Sequence, residues 1–323
     1  MTRSWAFAVG SVRAKESALL TRQELDGLLQ CADERELAAR LRERGYGDPA
    51  APADDVDGLL RQEKAQLWAY LQEVAPDGSL FVPFLYRNDI HNAKVALKLT
   101  LAGRKEGPYL PDGTIPAARL REAAEERRFD ALPAWLCGAM EEAYDLLAHA
   151  RDAGLADAVI DRAGMAAMRE AAEKDDTLRP LFDELVFYNN VKIVLRALRT
   201  GKGSLFLERA LCPVPGMETD DWIQAAREGE EAFLTRLRET DAYGAREAAD
   251  AWSESPAALE RFAADRQMVL ARRAGAQTLG PAPVAAYLLA KEAELRALHM
   301  AASGLRTGET PARMRERGPQ LYG

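Results

Sequence analysis

A chain of 323 residues with 43 Lys+Arg against 51 Asp+Glu, a formal charge of −8, 48% apolar and 29% charged residues is large enough and apolar enough to bury a substantial core. That balance excludes wholesale disorder and a stapled mini-protein, and the net-acidic surface repels phosphate backbones, which argues against general nucleic-acid binding. Three cysteines, Cys31, Cys137 and Cys212, lie far apart in an odd number without a CxxC pair. This pattern suits a reducing cytosol, and all three read as buried thiols.

Roughly one residue in five or six is alanine, Leu, Glu and Arg are plentiful, and alternating Val/Ile/Thr runs are nearly absent. Local propensity therefore favours helix almost everywhere, and the fold class is all-α. The first apolar run, Trp5 to Val12, meets Arg13, Lys15 and Glu16 at once, too short and too soon charged for a secretory signal. Between Val56 and Val74 the stripe Leu60, Leu67, Leu71 predicts an amphipathic helix that ends at the turn residues Pro76, Asp77 and Gly78. From Leu181 the positions Leu185, Tyr188, Val191, Leu195 and Leu198 predict another, stopped where Gly201 takes a left-handed cap. The uncharged run Ala274 to Ala290 contains Gly275, Gly280, Pro281 and Pro283 and falls short of the roughly 20 apolar residues that span a bilayer.

Breaker-rich stretches at Tyr46–Ala53, Gly107–Pro116, Leu211–Gly216 and Gly275–Pro283 divide the chain into comparable blocks, which prompts a search for repeats. Asn92-Ala93-Lys94, Leu97-Lys98 and Gly103-Arg104 match Asn190-Val191-Lys192, Leu195-Arg196 and Gly201-Lys202 at a constant offset of 98. Arg40-Leu41-Arg42-Glu43 with Tyr46-Gly47 returns as Arg236-Leu237-Arg238-Glu239 with Tyr243-Gly244. Fainter copies of the Asn/Lys helix open the chain at Ser11-Val12-Arg13 and close it at Glu294-Leu295-Arg296. The steps from Arg13 to Lys94, Lys192 and Arg296 are 81, 98 and 104, so the sequence predicts three similar helical modules, 1–106, 107–206 and 207–323.

The segment Tyr86-Arg87-Asn88-Asp89-Ile90-His91-Asn92-Ala93-Lys94, with its relative Tyr188-Asn189-Asn190-Val191-Lys192, resembles the signature helix of the C/d family of central-stalk proteins in V-type and A-type rotary ATPases. The opening Val9 to Leu20 resembles that family's first helix, and Lys291 through Arg296 to Arg313–Arg317 its last. The resemblance implies a funnel of three all-helical domains about an approximate threefold axis. It implies a non-enzymatic central-stalk component that receives the rotor shaft, made of the D and F subunits, and sits on the membrane proteolipid ring, passing torque for proton or sodium transport. Such a protein is cytoplasmic and meets the membrane only through that ring. A free-standing helical-repeat scaffold is the competing reading, although tetratricopeptide arrays repeat every 34 residues. An all-α prenyl-transfer enzyme is a distant third.

Other chemistry finds little support, and no cofactor or metal is expected. Thr200-Gly201-Lys202-Gly203-Ser204 lacks the G-x(4)-G-K-[ST] spacing and ends a helix, where the dipole repels anions. Asp54-Asp55-Val56-Asp57, Asp175-Asp176 and Asp220-Asp221 are not DDxxD motifs and read as helix N-caps. His91, His149 and His299 lack ligand spacing. The informative residues are Arg13, Asn92, Lys94, Asn190, Lys192 and Arg296. Either the asparagines bond to loop backbone and fix each module, or the four cations form a ring of positive charge that receives an acidic helix end of a partner.

Overall fold

The computed structural model describes residues 3–318 and 320–322; Met1, Thr2, Pro319 and Gly323 lie outside it, as does the side chain of Arg317. The chain is all-helical, and among the described residues the only extended pairing is a single bridge between Val214 and Met217. The helices, in chain order, are α1 (Trp5–Glu16), α2 (Arg22–Leu28), α3 (Glu34–Glu43), α4 (Val56–Val74), α5 (Tyr86–Leu101), α6 (Ala117–Glu126), α7 (Ala134–Asp145) and α8 (Ala153–Ala172). There follow α9 (Arg179–Arg199), α10 (Ser204–Ala210), α11 (Thr219–Arg227), α12 (Glu230–Arg238), α13 (Ala245–Glu254), α14 (Pro256–Gly275), α15 (Ala282–Thr307) and α16 (Pro311–Arg317). They fall into two compact units: one joins the chain up to Gly78 with the chain from Ala251, and the other runs from Ser79 to Asp250.

In the first unit, α4 begins where Asp55 accepts the Gly58 N–H at 2.6 Å, and it ends at Val74, the bounds its leucine stripe predicts. Helix α15 is the axis of the unit. Its first half, Ala282 to Ala290, is buried on every side, which explains an uncharged run too short for a membrane: protein, not lipid, surrounds it. Alanines at 285, 286, 290, 293 and 297 let neighbouring backbones approach closely, and α1, α3, α4 and α14 all pack on it. Leu25, Leu37, Leu41, Leu59 and Leu298 fill the main core, each fully buried leucine contributing about 1.5 to 3 kcal/mol. Among the described residues no helix is long and apolar enough to cross a membrane.

In the second unit, α9 ends as expected, with Gly201 in the left-handed region at φ +68°. Phe187 on α9 packs between Trp222 of α11, with centroids 5.4 Å apart, and Tyr243, stacked at 4.7 Å. Helix α8 lies against α5, and two ion pairs one turn apart, Lys94–Asp161 at 2.6 Å and Lys98–Asp157 at 2.7 Å, run along the contact in the antiparallel sense.

Three expectations are corrected. Cys137 is only half-buried, unlike Cys31 and Cys212, because it sits on the partly exposed side of α7. Of the aspartate pairs, Asp55 is an N-cap, whereas Asp221 stands inside the first turn of α11 and closes a capping box with Glu218. Asp175 caps no helix; it folds back on Thr177. The Thr200–Ser204 loop also opens the short α10, and Lys202 there faces Asp152 at 3.6 Å and the Phe206 ring at 5.7 Å.

At Gly164, in the middle of α8, a Cβ would run into the side chain of Ile90 on α5. Gly164→Ala should lose about 1 to 2 kcal/mol in urea unfolding, although alanine is the better helix former, because overpacking outweighs propensity. In an Ile90→Val background, which removes the first atom met, the loss should shrink.

Candidate functional site

A helix that carries buried polar side chains must satisfy them, and here they fasten loops. The first turns of α5 hold Asn88, Asp89, His91 and Asn92 against the segment Pro108–Ile115. Asn92, 1% exposed, donates from Nδ2 to the Leu110 carbonyl at 2.9 Å and accepts the Leu110 N–H on Oδ1 at 2.8 Å. His91 Nε2 donates to the Pro108 carbonyl at 2.8 Å, and Asn88 donates to Pro111 at 3.1 Å. Asp89, fully buried, accepts the Thr114 hydroxyl at 2.6 Å and the Ile115 N–H at 3.0 Å. Burial pushes the Asp89 carboxyl above the usual carboxylate range despite these donors.

The same device recurs on α9. Asn190, also buried, donates to the Cys212 carbonyl at 2.6 Å and accepts the Cys212 N–H at 3.2 Å. Around it, Tyr188 donates to the Tyr243 carbonyl at 2.6 Å, and the Tyr243 hydroxyl reaches the Pro215 carbonyl at 3.1 Å. Arg169 joins Asp183 at 2.7 Å and bonds to the Pro213 carbonyl.

In the other unit this role falls to Glu294 on α15, 2% exposed. It accepts the Leu20 N–H at 2.6 Å, the Tyr46 hydroxyl at 2.5 Å and the Lys291 ammonium at 2.6 Å, while Lys291 also reaches Glu63 at 3.0 Å. A carboxylate can only accept, so it cannot hold a carbonyl as the amides do; it gathers three donors instead. Tyr46 and Tyr243, the aromatic residues of the second sequence repeat, thus each support a clamp, Tyr46 at Glu294 itself and Tyr243 at the loop that Asn190 holds. Burial and Glu294 hold the Tyr46 phenol protonated.

The structure places both asparagines on loop backbone, so their amides are occupied within the chain. Of the cations, Lys94 is paired with Asp161, Arg13 with Glu16 at 2.8 Å and with the Gly275 carbonyl, and Arg296 lies 3.7 Å from Glu292. Lys192 is half-buried on α9. Sequence reasoning missed Asp89, His91, Glu294 and the Lys291–Glu63 pair as fasteners. The usable signal was polar residues three and four apart on a helix, followed by a breaker-rich loop. Among the described residues no group of His, Cys, Asp and Glu is arranged to hold a metal ion. His149 lies 3.6 Å from Asp145, and His299 lies 3.0 Å from Asp57.

A family model described as ATP synthase (C/AC39) subunit matches residues 8–317. Over 318 residues, 96% of this chain and 97% of the relative, the sequence is 23% identical to the C subunit of the V-type sodium ATPase of Enterococcus hirae.

Asn190→Ala leaves two backbone groups of a buried residue unpaired and should cost about 3 kcal/mol in urea unfolding. Asn92→Ala should cost about 1 to 2 kcal/mol, because Leu110 is 41% exposed and water can replace the lost amide. Asp89 gives a pH test. Its raised pKa means that folding favours the protonated form, so its charge costs stability at neutral pH, and that cost is relieved as pH falls through the folded pKa toward the usual carboxylate range. Asp89→Asn should therefore match or exceed the parent at pH 7 by up to about 1 kcal/mol, with the advantage vanishing near pH 4, while Asp89→Ala should lose about 2 kcal/mol at pH 7.

Proposed function

The chain belongs to the ATP synthase (C/AC39) subunit family, and on that premise we propose that it is the central-stalk C subunit of a V-type rotary ATPase or ATP synthase. In this reading it catalyses nothing itself. It couples the rotor shaft, made of the D and F subunits, to the proteolipid ring and passes torque between ATP turnover and proton or sodium transport. The match across residues 8–317 carries the reading, and the sodium ATPase C subunit of Enterococcus hirae, similar along nearly its whole length, supports it. Contact with the bilayer runs through the ring.

The geometry supports the three-module plan that the repeats predict. Helices α5, α9 and α15 each carry a buried polar residue two places before a cation, Asn92 with Lys94, Asn190 with Lys192 and Glu294 with Arg296, and each fastens one loop residue ahead of a short helix. For α5 and α9 that loop follows in sequence; for α15 it is the Leu20 loop near the other end of the chain. The modules 1–106, 107–206 and 207–323 are therefore read as a closed cycle whose first and last members share helices, arranged as a funnel about a pseudo-threefold axis. A coupler needs broad interfaces, of about 1,200 to 2,000 Å², because a small patch slips under load. With Asn92 and Asn190 spent on their loops, these residues act on partners by holding loop shape, and Arg13, Lys94, Lys192 and Arg296 border the partner-facing lining, Arg13 and Lys94 as members of their ion pairs with Glu16 and Asp161.

Affinity purification of the tagged full chain from cells carrying the other ATPase subunits tests this. Shaft subunits and proteolipid should be recovered with it. Recovery alone, or with unrelated clients, would reject the stalk role. A Lys94→Gln, Lys192→Gln variant that folds normally should recover the shaft several-fold less well, and unchanged recovery would remove the charged lining from the account.

A further inference from the structure

Within the unit built from the two ends of the chain, α1, α4, α15 and the loop that follows α3 line a cavity of about 220 Å³. Three cations line it, Lys15, Arg44 and Lys291, against one carboxylate, Glu63. They are not equivalent. Lys291 is consumed by Glu63 and Glu294, and Arg44 gives one arm to Glu24 at 2.7 Å. Lys15, exposed at the mouth, has no carboxylate within ion-pair distance among the described residues; its ammonium lies 4.9 Å from the centre of the Tyr70 ring.

Deeper in, Tyr287 packs edge-on against Tyr70 with centroids 6.1 Å apart. The Tyr70 hydroxyl is taken by Ser11 at 2.7 Å. Tyr287 is 6% exposed, yet among the described residues its hydroxyl has no hydrogen-bond partner. A hydroxyl that opens into the cavity without a protein acceptor is one that an external acceptor can complete. Burial, with Tyr70, Glu294 and Glu63 close by, raises the Tyr287 phenol well above its usual range, so it keeps its proton and can donate.

We propose that this cavity binds a single carboxylate, ion-paired to Lys15 at the mouth and hydrogen-bonded by the Tyr287 hydroxyl, with Arg44 at the rim. Glu63 on the wall, with Glu294 buried behind it and only Lys291 shared between them, favours a monoanion: a phosphate dianion would meet the net negative charge of that trio, while a cation would meet Lys15 and Arg44. The carboxylate belongs either to a free small acid or to an acidic side chain presented by a neighbouring chain. The site does not depend on the stalk reading.

The full-length protein is titrated calorimetrically with propionate, with a blocked peptide containing one glutamate, and with inorganic phosphate. Saturable binding of propionate assigns the site to small acids, and binding of the peptide alone assigns it to a partner's side chain. In either case Lys15→Gln and Tyr287→Phe should each weaken binding about tenfold or more, and Tyr287→Phe should leave thermal unfolding unchanged, since its hydroxyl bonds to nothing in the protein. No saturation by either carboxylate up to about 10 mM, phosphate binding tighter than both, or parental affinity in both variants would each overturn the proposal.

Discussion

A loop that crosses a buried helix face brings N–H and C=O groups that water cannot reach, and this fold depends on answering them from the helix itself. A single asparagine does so completely, because its amide carries a donor and an acceptor at the spacing of one residue's backbone pair. Asn92 and Asn190 each bind one loop residue through both groups. The helix continues uninterrupted beneath, so the chain changes direction without losing a turn of helical hydrogen bonding.

Substituting a carboxylate at that place changes the chemistry around it. Glu294 takes the Leu20 N–H but has nothing to offer a carbonyl, and its charge has to be answered. Lys291 and the Tyr46 hydroxyl do this, and Glu63 balances Lys291 in turn. One change of residue type thus converts a neutral two-bond clamp into a network drawn from α4, α15 and the Tyr46 loop after α3. In compensation the two distant ends of the chain are fixed by a charge-assisted contact, stronger than its neutral counterparts.

Much of this was legible beforehand. The leucine stripe set the bounds of α4, the glycine cap set the end of α9, and the offset of 98 located two of the clamps. What escaped was whatever depended on long-range partners. Nothing in the neighbourhood of Glu294 announces Leu20, which lies 274 positions away, and a repeat pattern keyed to asparagine passes over an acid in its place. Lys94 looked like a free charge for the same reason: its answer, Asp161, sits on another helix 67 residues on. Asp175 read as a cap because it precedes a helix, but its oxygen closes locally on Thr177 instead.

The division of the chain also bears on its biosynthesis. Residues up to Gly78 are grouped with the segment from Ala251 onward, and the whole of the second unit is translated in between. At ribosomal speeds of about 5 to 20 residues per second, the leading helices wait on the order of ten seconds or more for Leu295, Leu298 and Met314, which complete the core around Leu25, Leu37 and Leu41. The unit built from the two ends therefore cannot be completed until the segment from Ala251 has been made, after the whole of the middle unit.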